Sequence, residues 1–191
     1  MKNSRITLVF AFISTVTLAQ EKLDIDTSSS TIRWFGEYAF YFGGHDGIID
    51  FKEGYFLKNN DVISGGEFII DMNSIQSLDM DKEEARTDLD NHLKNEDFFD
   101  VKKFPTAKLK ITKVDYHDST LMRIEANLTI KSITLPINFR AEADYDNEMM
   151  TARFKIDRTL WDITYNSKEV EGKLKDGLIS DAIGFEVKLG L

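Results

Sequence analysis

Arg123-Ile124-Glu125-Ala126-Asn127-Leu128-Thr129-Ile130 alternates polar and apolar residues without a break. Successive side chains of a strand point to opposite faces, so a period of two predicts a strand with one wet and one buried face. After a short turn near Ser132 the pattern resumes. Leu135, Ile137, Phe139, Ala141 and Ala143 alternate with Asn138, Arg140, Glu142 and Asp144. Asp146-Asn147 supplies another turn, and Met150, Ala152, Phe154 and Ile156 carry the next strand. Strands joined by turns this short pair antiparallel.

The same period extends both ways from this meander. Upstream, Phe68, Ile70 and Met72 oppose Glu67, Ile69 and Asp71, and Leu109 and Ile111 oppose Lys108, Lys110 and Thr112. Between those two strands, residues 81–94 open with Asp81, Glu83 and Glu84 and repeat an apolar side at Ala85, Leu89, His92 and Leu93. That spacing predicts a helix whose acidic start suits its dipole. With Phe98, Phe99 and Phe104 behind it, the insert reads as a cap over one end of a sheet.

Nearer the N-terminus, residues 23–30 read as a loop or short edge strand. Ile32 and Trp34 then alternate with Arg33, and Gly47, Ile49 and Phe51 alternate with Ile48, Asp50 and Lys52 up to Gly54. The two runs predict a hairpin around the aromatic stretch 38–42 and Gly43-Gly44. Near the other end, Trp161, Ile163 and Tyr165 share a side before a polar loop at 166–177, and Ile183, Phe185, Val187, Leu189 and Leu191 oppose Glu186 and Lys188. About eight strands result, each with a polar alternate that buried parallel strands would lack. So apolar a last strand is best protected by pairing with the first, so the expected fold is all-β, an antiparallel eight-stranded barrel with a helical insert over one end. Such a barrel either fills with side chains or holds one small ligand, and the pattern leaves both open.

Composition narrows the partners. With 191 residues, 42% of them hydrophobic, the chain is one ordinary domain. Its 33 acidic against 24 basic residues give a net charge of −9, which repels a phosphate backbone, so no nucleic-acid partner is expected. Lys2 and Arg5 precede an apolar run at 6–18 that closes on Thr17-Leu18-Ala19, the layout of a secretory leader cut after Ala19. Ser14, Thr15 and Thr17 interrupt that run, which is shorter than the roughly 20 apolar residues of a membrane span. A leader at 1–19, a single domain at 20–191, a periplasmic or secreted location and no stable membrane insertion are expected. The chain has no cysteine, which excludes a disulfide-stapled scaffold and an acylated lipoprotein N-terminus.

Catalytic chemistry finds little support. His45, His92 and His117 are not spaced as metal pairs, and no nucleophile elbow, phosphate loop or dinucleotide motif is present. No catalytic residue, metal or cofactor is therefore expected. Asp157-Arg158 reads either as a buried ion pair or as a strand end. The aromatics at 38–42, 98–99 and 104 either gather at a barrel mouth or plug the end of the core.

Several segments together resemble the YceI-like family. They are Trp34-Phe35-Gly36, Gly44-His45-Asp46-Gly47-Ile48-Ile49, the run from Gly65-Gly66-Glu67-Phe68 to Ile75, the stretch from His92 to Phe99 with Phe104-Pro105-Thr106-Ala107, Leu128 to Thr134, and Asp157-Arg158-Thr159. Two departures stand out: the stretch 38–42 is more aromatic than is usual in the family, and the loop 166–177 is charged. The resemblance implies an exported, lipocalin-like barrel that binds a polyisoprenoid or other fatty amphiphile without catalysis. Read with the strand pattern, it implies a tunnel lined by Trp34, Phe51, Phe68, Ile70, Leu109, Ile111, Leu128, Ile137, Phe139, Phe154, Trp161 and Phe185. His45, Lys94 and Arg158 are its candidates for meeting a polar headgroup. An enzyme acting on such a lipid and a filled barrel serving as an interaction or stress-response module stay open as alternatives, and a homodimer stays open beside a monomer.

Overall fold

The computed structural model describes residues 20–59, 62–167 and 177–190. The leader expected at 1–19, most of the polar loop at 166–177 and Leu191 lie outside the described residues. In chain order the elements are β1 (Glu21–Asp24), β2 (Asp26–Tyr38), β3 (Gly44–Asn59), β4 (Val62–Ser77), α1 (Glu83–Lys94), β5 (Thr106–Tyr116), β6 (Leu121–Ile130), β7 (Ile133–Asp144), β8 (Met149–Asp157), a 3-10 turn (Arg158–Trp161) and β9 (Ile179–Gly190). Antiparallel neighbours run β3-β2-β9-β8-β7-β6-β5-β4, and β4 pairs back onto β3. The result is a closed eight-stranded barrel. Short β1 pairs with Tyr55–Lys58 of β3 while β2 pairs with Gly44–Ile49 of the same strand, so β1 and β2 share one place in the ring.

The meander forms as its alternation dictates. β6 and β7 pair without a register shift from Leu121↔Glu142 to Ile130↔Ile133. Their two-residue turn, Lys131-Ser132, has φ of 47° and 67°, the geometry whose twist matches a hairpin. The start of the barrel is less regular. Between Asp26 and Thr31 the register of β2 shifts, and Asp26 accepts hydrogen bonds from the Ser28 amide at 2.9 Å and the Ser29 hydroxyl at 2.8 Å.

Strand β3 continues past Gly54, where the hydropathy pattern ends it, through a bulge between Phe51 and Glu53. The second bulge is larger. Between Asp71 and Gln76 strand β4 bows out, and Ser74 ties it back by accepting the Asp50 amide at 2.8 Å and donating to the Asp71 carbonyl at 2.7 Å. Here Gly47 is a space requirement. A Cβ on it would lie 2.6 Å from Cζ2 of Trp34 and inside contact distance of the Gln76 carbonyl. Gly47→Ala is expected to lower the urea midpoint by an amount equivalent to about 1–3 kcal/mol, because backbone must shift to relieve an overpacked site.

Helix α1 starts at Glu83, later than the acidic run suggests, with Glu83 and Glu84 in its first turn and His92 and Lys94 in its last. Asp90 fastens it to the end of β4, accepting from the amide and the hydroxyl of Ser77 at 2.7 Å each. No residue of the helix is fully buried. The ends of β2, β4, β6 and β8, the starts of β3, β5, β7 and β9, the helix and the 3-10 turn all lie at this one end of the barrel.

Candidate ligand cavity

Beneath the helix the barrel is hollow. The interior holds a cavity of about 220 Å³ whose walls are almost wholly apolar. Two aromatic groups form opposite walls. On β3 and β4, Phe68 packs edge-on against Phe51 and Phe56, with centroids 6.1 and 5.0 Å apart. On β7, β8 and β9, Phe154 stacks with Phe139 at 4.7 Å and tilts against Phe185 at 5.4 Å. Among the described residues no ring contact joins the two groups. Phe139, Phe154 and Phe185 stay only half-buried although they point inward, as side chains do that border empty space.

Ten of the twelve residues expected along the tunnel border this cavity: Trp34, Phe51, Phe68, Ile70, Leu109, Ile111, Leu128, Phe139, Phe154 and Phe185. Ile137 and Trp161 do not. Ile137 pairs with Ala126 and packs against the core beside the void. Trp161 is 1% exposed in the 3-10 turn and donates its indole N–H to the Leu128 carbonyl at 3.3 Å. It is part of the packed end of the barrel.

The cap adds residues that no strand pattern offered. Leu89 and Leu93 of α1 and Phe98 and Phe99 beyond it border the cavity from above. The aromatic signal at 98–99 thus belongs to the lid, whereas Phe104 stands outside, under the Lys103 ammonium at 5.1 Å. His92 clamps the lid from the helix, edge-on to Phe98 at 5.1 Å and to Tyr165 at 4.6 Å. The stretch 38–42 ends β2 and projects from the same end, with Phe42 fully exposed.

Of the three headgroup candidates, His45 and Arg158 border the cavity and Lys94 does not. His45 Nδ1 lies 2.9 Å from the Asp79 carboxylate and Nε2 lies 3.4 Å from the Tyr38 hydroxyl. With Asp79 accepting from Nδ1–H, Nε2 is left facing the Tyr38 hydroxyl at the mouth. Nothing in the sequence linked Asp79 to His45, because they meet only where β4 returns beside β3. Burial pushes the Asp79 carboxyl up, but hydrogen bonds from His45 and the Asp46 amide together hold it below its ordinary value. The sign is that of a depressed carboxylate. Its contribution to stability is present above the unfolded value near 3.8 and is lost as the pH falls through the lower folded value. Asp79→Asn should therefore flatten the acid limb of stability below about pH 4, measured by thermal unfolding in a pH series.

Arg158 is 1% exposed, and its cation is met from inside the protein. Nη1 donates to the Ile163 carbonyl at 2.6 Å, Nε to Ser180 at 3.1 Å and Nη2 to Ile179 at 3.3 Å. Its ion-pair partner is Asp181, at 3.8 Å, and not the preceding Asp157. Asp157 ends β8 and caps the 3-10 turn by accepting from the Thr159 amide at 3.0 Å. Burial lowers the Arg158 pKa and Asp181 opposes the shift. With three donors on carbonyls, Arg158 ties the 3-10 turn to the start of β9 and holds the mouth in shape. No group of three or more metal-ligating side chains occurs among the described residues, and no helix there is long and apolar enough to cross a membrane.

Comparison with known proteins places this architecture. The model of the YceI-like domain matches residues 23–191. Burkholderia cenocepacia BcnA shares the fold with a TM-score of 0.68 at 14% identity, covering 86% of this chain and 98% of its own. A Campylobacter jejuni YCEI protein aligns with a TM-score of 0.51 at 17% identity over 97% of this chain and 90% of its own. No curated protein sequence matches the chain. A closed antiparallel barrel under one helix, matched over almost all of its described length by one domain model, makes this chain a member of the YceI-like family.

Proposed function

We propose that the protein is an exported carrier that shields the hydrocarbon of an isoprenoid or another long-chain amphiphile inside its barrel and performs no chemical step. The observation that carries this reading is the hollow interior, about 220 Å³ between two aromatic walls joined by no ring contact among the described residues. Each methylene moved from water into such a space contributes roughly 0.8 kcal/mol before the chain's ordering cost. A few isoprene units then reach micromolar affinity, with loose selectivity along the tail. The polar end stays at the mouth beside His45 and Tyr38. Export is supported by the basic start, short apolar run and small residues before Gln20.

Native mass spectrometry of the purified chain, before and after organic extraction, tests the reading. A mass excess that extraction removes and an added long-chain alcohol restores is the expected result. A chain that stays empty and takes up no added amphiphile overturns it. The His45–Asp79 contact supports a second reading, in which His45 acts as a general base on a bound lipid. Turnover of a bound ester that His45→Ala abolishes would favour that reading over the carrier.

A further inference from the structure

Among the described residues eight large apolar side chains stand exposed, and they are not spread evenly. Val62 and Tyr145 mark the far end of the barrel, where β4 starts and β7 has finished. The other six, Tyr38, Phe40, Tyr41, Phe42, Leu78 and Leu160, stand at the end that carries the helix and the cavity mouth. They follow the rim in strand order: Leu78 leaves β4, the aromatic turn joins β2 to β3, and Leu160 follows β8. The base of the turn is fixed. The Tyr38 amide donates to the Gly43 carbonyl at 3.1 Å and the Ala39 amide to that of Leu178 at 3.0 Å, and Gly43 closes the bend at a φ of 109°. Both legs of the turn, Gly36 to Tyr38 and Gly44 to His45, border the cavity, so it stands on the mouth itself. An exposed apolar cluster of this kind marks a contact surface.

We propose that the aromatic turn at 38–42 seats the mouth on the surface of a zwitterionic lipid bilayer, from which the guest enters the cavity without crossing water. The docking is carried by the exposed rim, and only the entry of a guest rests on the carrier reading. Charge chooses this occupant over others. From Tyr38 to Gly44 no side chain is charged. Beyond the turn, Asp46 is paired with Arg33 at 2.7 Å and Asp79 with His45 at 2.9 Å. A second copy would set its own net charge of −9 against that of the first, and an anionic surface would repel the chain in the same way. A zwitterionic surface sets no net charge against it. The residue types fit as well. Tyrosine rings settle at the level of the headgroups, and phenylalanine brings a large apolar area to the boundary beneath. The amides of Tyr38 and Ala39 already donate to carbonyls, so lowering the base of the turn into the interface leaves both donors met.

Flotation of the full chain with lipid vesicles tests this, using phosphatidylcholine alone and phosphatidylcholine with about a third phosphatidylglycerol. The wild type should float with the neutral vesicles and less with the anionic ones. Phe42 is fully exposed, so Phe42→Ser leaves the fold intact, and it should weaken flotation about tenfold, the worth of burying one phenylalanine side chain. Val62→Ser, at the far end, should change nothing. All variants keep the same N-terminus, so its apolar run cannot produce a difference between them. Phe42→Trp should float as the wild type does, and brominated lipid should quench its added fluorescence. Equal flotation of wild type and Phe42→Ser overturns the inference, as does tighter binding to the anionic vesicles. So does a wild type that stays in solution, and self-association abolished by Phe42→Ser would then assign the rim to a second copy. Displacement of a fluorescent fatty probe by a long-chain alcohol is measured beside flotation. Displacement without flotation removes the docking and leaves the carrier reading standing, whereas flotation without displacement does the reverse.

Discussion

Arg158→Met should cost about 3–5 kcal/mol of unfolding free energy, because it breaks a buried ion pair and removes the guanidinium's hydrogen bonds with it. The methionine matches the aliphatic length of the arginine, so the loss is one of charge and hydrogen bonds more than of packing. Three carbonyls, Ile163, Ile179 and Ser180, lose a charged donor at once. Asp181, 8% exposed, also accepts from the hydroxyl of Ser167 at 2.7 Å. Urea unfolding followed by circular dichroism measures the effect. A further outcome separates loss of the charge pair from simple loss of contacts. The double variant Arg158→Met with Asp181→Asn should recover part of the loss, since the buried anion is gone. Equal stability of wild type and single variant would mean that Arg158 does not tie the 3-10 turn to β9.

The barrel was legible wherever local alternation matched the final pleat. From Leu121 to Asp157 the inward positions follow from parity alone, and β6 pairs with β7 through every residue of its run. Legibility failed where the backbone changed its period. Trp161, Ile163 and Tyr165 keep a spacing of two, which suggests one side of an extended segment. Asp157 caps a 3-10 turn there and Asp162 takes a left-handed φ of 58°, so Trp161 swings into the packed end instead of the tunnel. Gly54 misled in the opposite sense. It looks like a strand end, yet β3 runs through it, and a Cβ there would sit 2.5 Å from Phe68 Cδ1. The glycine makes room for a ring that forms the cavity wall. The polar pairs at the mouth were out of reach for another reason. His45 and Asp79 are 34 residues apart, and the carbonyls that hold Arg158 are backbone groups of no particular side chain.

Whether the barrel is hollow decides the carrier reading, and a pair of tryptophan substitutions tests that directly. Ala141 and Ala126 are both fully buried alanines on adjacent strands, 3% and 1% exposed. Ala141 borders the cavity, whereas Ala126 does not. An indole added at Ala141 can extend into the roughly empty interior, meeting partners on sides that previously had none. Ala141→Trp should therefore unfold within about 1 kcal/mol of the wild type. Ala126→Trp, forced into filled space, should lose about 1–3 kcal/mol or more. Binding should respond in the opposite order. Displacing about four methylenes of a guest removes roughly 3 kcal/mol of burial, so Ala141→Trp should weaken a long-chain alcohol by about a hundredfold. Thermal unfolding and fluorescent displacement on the two variants supply both readings. Should Ala141→Trp destabilise the protein as much as Ala126→Trp does, the side chains of the opposite walls already occupy the space between them. The phenylalanines of β3 and β4 would then meet those of β7, β8 and β9, and no volume would remain for a tail.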